Sequence, residues 1–150
     1  MAEQQKTLLI LERYMPYRLS IVSNKVSSIV AQTYKDKFAL SITEWRIMAV
    51  LGEYPGASAD EISLKTQIEK SLISRAIGNL LKRKLVVRNV ARDDKRRSEV
   101  TLSKAGYEVY AEIVPLSLQY EKELLDCLSS EEQTMFSDVI ERLYEHAQTL

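Results

Sequence analysis

A mainly helical chain with one short β-hairpin is what this sequence predicts, on three observations. Apolar residues recur at three- and four-residue intervals through most of its 150 residues. Two short stretches near residues 85–90 and 98–102 are β-branched and partly alternating instead. Only 4 Gly and 3 Pro interrupt a chain that is 45% hydrophobic and 28% charged, which excludes a disordered tail or a loop-dense scaffold. At this length a single domain over residues 1–150 is expected.

After a polar start and the apolar cluster 8–11, Pro16 sits where a first helical turn tolerates proline, and a long helix over 16–37 is predicted from Leu19, Val22, Val26, Ile29 and Val30. Thr43 is the expected cap of a second helix that carries Trp45, Ile47, Met48, Val50 and Leu51 and stops at Tyr54-Pro55-Gly56. Ser58 and Glu61 form a capping box that opens a short helix to about Lys65. A turn at 66–68 leads to a helix over 70–83, in which Leu72, Ile73, Ala76, Ile77, Leu80 and Leu81 make one apolar stripe, expected to be core. Its other face holds Ser71, Ser74, Arg75, Gly78 and Lys82, with no acidic residue and a glycine where a bulky side chain would hold a partner away. The two strands come next, joined by the charged tip 91–97. A long helix from Ser103 to about Leu128, bent near Pro115, and a last one opened by a Ser129/Glu132 capping box complete the chain. On the last helix Met135, Phe136, Val139, Ile140, Leu143 and Tyr144 share a face.

Several classes are excluded. The longest aliphatic run, 47–51, is far short of the ~18–20 apolar residues that a membrane span requires. No signal-like segment precedes it, so no membrane partner and a cytoplasmic location are expected. One Cys127 and one His146 can build neither an internal disulfide nor the usual zinc site, and no glycine-rich phosphate loop is present. No catalytic residue, metal or cofactor is expected, and the chain does not read as an enzyme.

Charge is balanced in total and unbalanced along the chain. Residues 1–69 hold 8 basic and 8 acidic side chains, residues 70–97 hold 10 and 2, and residues 98–150 hold 3 and 11. A basic segment over the fourth helix and the hairpin is the footprint of a phosphate-binding surface, the alternative being a solvated basic face.

Short helix, tight turn, helix with a polar outer face, then a basic-tipped hairpin: this order is that of a winged helix-turn-helix, here over 43–102. A helix fits the major groove and presents side chains to base edges, while the hairpin can place an arginine in the narrow minor groove. The stretches 72–88 (LISRAIGNLLKRKLVVR) and 94–106 (DKRRSEVTLSKAG) resemble the MarR family of bacterial transcriptional regulators. Asp94, Arg96, Leu102, Ser103 and Gly106 fall on the family's wing signature, and the resemblance runs over nearly the whole chain. Lys84 departs from it, since many members have Gly there, which leaves the helix-ending turn open. The resemblance implies that Arg96 enters the minor groove, that Asp94 holds the wing tip, and that Ser71, Ser74 and Arg75 face DNA. Lys82, Arg92, Lys95 and Arg97 complete the implied DNA-binding set. For Arg75 the competing reading is an ion pair with Glu69 or a wing aspartate, and for Lys95 and Arg97 it is solvation or attraction to phosphates.

Segments 16–37 and 103–147 exceed what a winged helix requires, and their apolar faces are expected to be buried in a symmetric homodimer, the alternative being a monomer that uses these helices as its own core. Two-fold symmetry predicts a pseudo-palindromic operator in double-stranded DNA, with half-sites ~34–36 Å apart. Family resemblance further implies a small aromatic or phenolic effector in a cleft between dimerisation and DNA-binding parts. Stretches 13–24 and 41–51 resemble a branch responding to hydroxycinnamates, hydroxybenzoates or their coenzyme A thioesters. Tyr17, Arg18, Asn24, Ser28, Trp45 and Arg46 are the candidate effector residues, with core burial of Trp45 and a carboxylate partner for Arg46 as competing readings. The overall expectation is a repressor that such an acid releases. Competing classes are a protein-interaction winged helix, against which the basic outer face speaks, and a thiol sensor, against which Cys127 is expected to be buried in an acidic region.

Overall fold

Six helices and one two-stranded antiparallel sheet make up residues 6–90 and 98–150, which the computed structural model describes. They form two units that divide between Ile113 and Val114. In the first, a 3₁₀ turn at Leu11–Arg13 precedes α1 (Met15–Phe38), with Pro16 in its first turn as the sequence predicts. Next come α2 (Ile42–Glu53), α3 (Ala59–Thr66), α4 (Lys70–Lys82), β1 (Val86–Val90) and β2 (Ser98–Leu102). Helix α5 (Lys104–Leu125) runs on through Pro115, and α6 (Ser130–Ala147) closes the chain.

Capping explains where these helices start. Ser41, not Thr43, caps α2: its hydroxyl accepts from the Glu44 amide at 3.1 Å, and the Glu44 carboxylate takes the Ser41 N–H at 2.9 Å. Thr43 lies one residue inside the helix, whereas Ser41 stands three before the glutamate that a capping box requires. Ser58 accepts from the Glu61 amide at 3.2 Å to open α3, and Ser129 and Glu132 form the complete reciprocal box on α6.

The turn after α4 keeps the glycine-type geometry with a lysine. Lys84 has φ +58°, its N–H donates to Leu81 O, and Leu85 N–H donates to Leu80 O, both at 3.0 Å. These two bonds satisfy the last carbonyls of α4, and the buried Leu80 and Leu85 accompany them. A left-handed conformation costs a residue with a Cβ about 1–2 kcal/mol, part of which glycine's extra unfolded-state freedom cancels. Lys84→Gly is therefore expected to stabilise the protein by about 0.5–1 kcal/mol, read as a higher urea midpoint at fixed protein concentration.

β1 and β2 pair from Val86 with Leu102 to Val90 with Ser98, and β2 also exchanges backbone bonds with Ala57 and Gly56 in the α2–α3 loop. Thus Val86, Val100 and Leu102 close the core made by Ile47, Met48 and Leu51 of α2, Ile62 of α3, and Ile73, Ile77 and Leu80 of α4. Among the described residues, every buried apolar side chain belongs to the first unit. Leu19 and Val22 in the first half of α1 are exposed, while Val26, Ile29 and Val30 are half-buried. In α6 the six face residues Met135, Phe136, Val139, Ile140, Leu143 and Tyr144 are 46–67% exposed.

Candidate nucleic-acid interface

Helix α4 owes its orientation to four buried residues, Ile73, Ala76, Ile77 and Leu80, packed against α2, α3 and β1. The apolar stripe is narrower than its spacing implies. Leu72 is 46% exposed, and Leu81 is half-buried, because both lie at the edges of the arc that the neighbouring helices cover. Ser71, Ser74, Arg75 and Lys82 are exposed on the other side. Ser71, Arg75, Gly78 and Lys82 stand four, three and four apart, which aligns them along one face. A Cβ built on Gly78 meets nothing within 4 Å, so this glycine answers to no internal packing. Among the described residues Arg75 has no ion-pair partner; it is Lys70, at the start of the helix, that pairs with Asp60 at 2.6 Å. The guanidinium of Arg75 is free to meet a phosphate or a base edge.

Strands β1 and β2 bring the wing's flanks against the core, with Arg88 and Val90 exposed. The wing residues Arg92, Asp94, Lys95, Arg96 and Arg97 lie outside the described residues. The junction between β2 and α5 accounts for the Leu-Ser-x-x-Gly signature. Ser103 Oγ accepts from the Gly106 amide at 3.0 Å and donates to Lys84 O at 2.6 Å, while the Ser103 N–H donates to Leu85 O at 3.0 Å. One serine thereby caps α5 and fastens it to the turn that ends α4.

The six candidate effector residues are not gathered into one pocket. Tyr17, Arg18 and Asn24 are exposed on the first half of α1. Ser28 lines an open cleft of about 480 Å³ with Ala31, Gln32, Lys35, Leu40, Ser41, Ile42 and Thr43. Trp45 is half-buried between Tyr34 and Tyr110, with ring centroids 5.7 and 6.0 Å away. Arg46 Nη2 donates to Ser27 Oγ at 3.3 Å, so its partner is a hydroxyl and not a carboxylate. Burial pushes the Tyr34 hydroxyl above the ordinary tyrosine value, and the Arg46 charge pulls it partly back. Tyr34 therefore stays protonated at neutral pH, and its contribution to stability is lost as pH rises through its raised value.

Comparison with known proteins discriminates between the readings of this scaffold. Residues 40–97, from just before α2 to the end of the wing segment, match the MarR family. Over these residues the chain is similar to the MarR family. A curated relative, the transcriptional regulator HosA of Escherichia coli, is 26% identical over 104 residues, covering 69% of this chain and 77% of its own. A MarR/EmrR family transcriptional regulator from Acinetobacter sp. ADP1 superposes with a TM-score of 0.87 at 25% identity, over 95% of this chain and 100% of that one. The PcaV transcriptional regulator from Streptomyces coelicolor, crystallised in complex with its natural ligand, shares the fold with a TM-score of 0.80 at 18% identity, over 95% and 99% of the two chains. The chain thus has the winged-helix fold of these transcriptional regulators, and its relatives are regulators, not enzymes.

Sequence patterning misses three features of this chain. Nothing local pairs Tyr34 and Tyr110 with Trp45, since they come from α1 and α5, far apart in sequence; Gly52 is the trace they leave, because a Cβ there would lie 2.3 Å from the Tyr110 ring. Cys127 is exposed, not buried: it lies beyond the end of α5, where its Sγ donates to Leu124 O at 3.5 Å. Finally, Arg83, one of the ten basic residues between 70 and 97, is bound to backbone carbonyls of the α1–α2 joint.

Proposed function

We propose that the chain is a homodimeric, sequence-specific repressor whose α4 helices read successive major grooves of a pseudo-palindromic operator, and which a small aromatic acid or its coenzyme A thioester releases. The observation that carries the reading is the outer face of α4: Ser71, Ser74 and Arg75 exposed, Gly78 bare, Lys82 beyond, and no acidic side chain among them. Such a face offers hydroxyl and guanidinium donors to base edges and lets the backbone approach the groove. By family resemblance Arg96 takes the minor groove, Asp94 orders the wing, and Arg92, Lys95 and Arg97 meet phosphates.

Dimerisation is supported by the exposed apolar residues of α6 and of the first half of α1, which a second copy would cover. Release by an aromatic acid is supported by Trp45, Tyr34 and Tyr110 stacked near the Arg46 charge, by the cleft beside Ser28, and by the ligand-bound state of PcaV. The aromatic rings suit a planar ring, and Arg46 and Arg18 suit a carboxylate or phosphate. Cytoplasmic residence belongs to the same reading; among the described residues no helix is long and apolar enough to cross a membrane.

Gly78 provides the test. With open space around it, Gly78→Ala is expected to stabilise α4 by about 0.5–1 kcal/mol through helix propensity alone. The same methyl group stands between helix and groove, so operator affinity, measured on a fragment selected from genomic DNA, is expected to fall. Arg75→Ala is expected to lose about 1–3 kcal/mol of discrimination at one position of each half-site. A more stable Gly78→Ala protein that binds operator as tightly as its parent would remove α4 from the groove. Titration of hydroxybenzoates, hydroxycinnamates and their thioesters against the complex tests release, and reciprocity requires operator to weaken effector binding by the same factor.

A further inference from the structure

We infer that Arg83 is a positioning residue for DNA reading: its guanidinium clasps the end of α4 to the end of α1, so that the two reading helices of a dimer keep the separation set by their α1 helices. This deepens the DNA-binding, dimeric reading above and rests on it.

Arg83 is the C-cap of α4. Its Nη1 donates to Ala39 O at 3.0 Å and its Nη2 to Phe38 O. Phe38 is the last residue of α1, and Ala39, its cap, turns left-handed at φ +51°. Carbonyls at such an end lack intrahelical partners and carry the negative end of the helix dipole. A cation with two forked donors meets both requirements, and a lysine cannot reach two acceptors on successive residues in the same way.

The surroundings give this clasp its leverage. Beside it lies an open cleft of about 410 Å³ lined by Ala39, Glu44, Asn79, Lys82 and Arg83. A cleft thus opens between the end of α4 and the α1–α2 joint on the side where Arg83 lies, above the apolar contacts that Phe38, Leu40 and Leu81 make in the core. The buried side of α4 rests on α2, α3 and β1, and Arg83 adds a polar tie from its end to α1. In a run of ten basic residues Arg83 reads as one more phosphate ligand, yet its donors are turned to the protein's own backbone.

Two roles are separable by salt. A phosphate contact, once removed, lowers the slope of log affinity against log salt by about 0.9 and weakens all DNA alike. A positioning contact leaves the slope and the affinity for random DNA in place, and lowers operator affinity together with the preference for one half-site spacing. Full-length parent, Arg83→Ala and Arg83→Lys, each verified as folded by circular dichroism at the assay temperature, are titrated against the selected operator, the same operator with one base pair inserted or deleted at its centre, and random DNA, across a salt series. For Arg83→Ala we expect about a tenfold loss on the operator, the scale of one base-pair contact, with slope and random-DNA affinity unchanged and spacing discrimination reduced. Arg83→Lys, which keeps the charge without the fork, is expected to fall with Arg83→Ala. Recovery of parental behaviour by the lysine, a reduced slope with equal loss on random DNA, or undiminished spacing discrimination would each overturn the inference. A parent that does not distinguish operator from random DNA would overturn the DNA-reading proposal itself, and the inference with it.

Discussion

Gly106→Ala is expected to destabilise the protein by about 3 kcal/mol, the upper range for forcing a methyl group into filled space, and to show it as a markedly lower urea midpoint. A Cβ at Gly106 would stand 2.0 Å from Leu85 O and 3.3 Å from a methyl of Leu102. The first of these atoms is backbone, and it cannot move alone. Leu85 O accepts the Ser103 N–H, Ser103 Oγ holds Lys84 O, and the Leu85 N–H closes α4 through Leu80 O. Relieving the clash means breaking the cap of α5 or the end of α4, at about 1 kcal/mol for each lost hydrogen bond, plus displacement of the buried Leu85. Gly52→Ala is the informative contrast. Its built Cβ is also impossibly close, 2.3 Å from Tyr110, but the obstacle is the ring of a half-buried side chain that can swing aside. A smaller loss is expected there, with Trp45 fluorescence reporting the displaced ring. Gly106→Ala with the parental midpoint would mean that α5 is not seated on this turn.

The same residues show what the sequence could tell. The wing signature at Leu102, Ser103 and Gly106 is legible as a pattern, and its physical content is local: one serine capping a helix and one glycine admitting a carbonyl. Helix order, the Ser58 and Ser129 caps and the strand pair are legible for the same reason, since spacing and capping chemistry are properties of neighbours in sequence. Errors arise where tertiary neighbours decide. The burial of Leu72 depends on how wide an arc α2 and α3 cover, and the exposure of Cys127 on what stands opposite the end of α5. The cap of α2 is a miss of another kind, because the Ser41/Glu44 box that displaces Thr43 is itself a local pattern. The tie from Arg83 to Phe38 and Ala39 spans 45 and 44 residues, beyond any local pattern. The effector residues are the least legible, because a binding cleft is set by side chains from separate helices, and six candidates chosen for their chemistry fall in four different surroundings.

On the proposed dimeric reading, deletion of residues 129–150 is expected to abolish the dimer and to weaken operator binding. Helix α6 has 18 residues, opens on a complete capping box and presents six large apolar side chains, yet none of its residues is buried. A helix of this length is marginal in water on its own propensity and depends on packing of its apolar face. At about 25 cal/mol per Å² of apolar surface, covering such a face by a second copy supplies several kcal/mol. Without α6 the exposed apolar residues of α1, Leu19, Ile21 and Val22, lose the surface that a symmetric partner would bring, and light scattering should report monomer or aggregate. Operator affinity should then fall by about 10²–10⁴, the avidity lost when two reading heads are no longer linked. Should the truncated chain only aggregate, Ile140→Glu with Leu143→Glu in the full chain makes the same test while keeping the helix, since two carboxylates on that face would have to be desolvated in the interface. A truncated or doubly charged protein that remained a soluble dimer with parental operator affinity would locate the dimer contacts elsewhere and leave the apolar face of α6 without its proposed occupant.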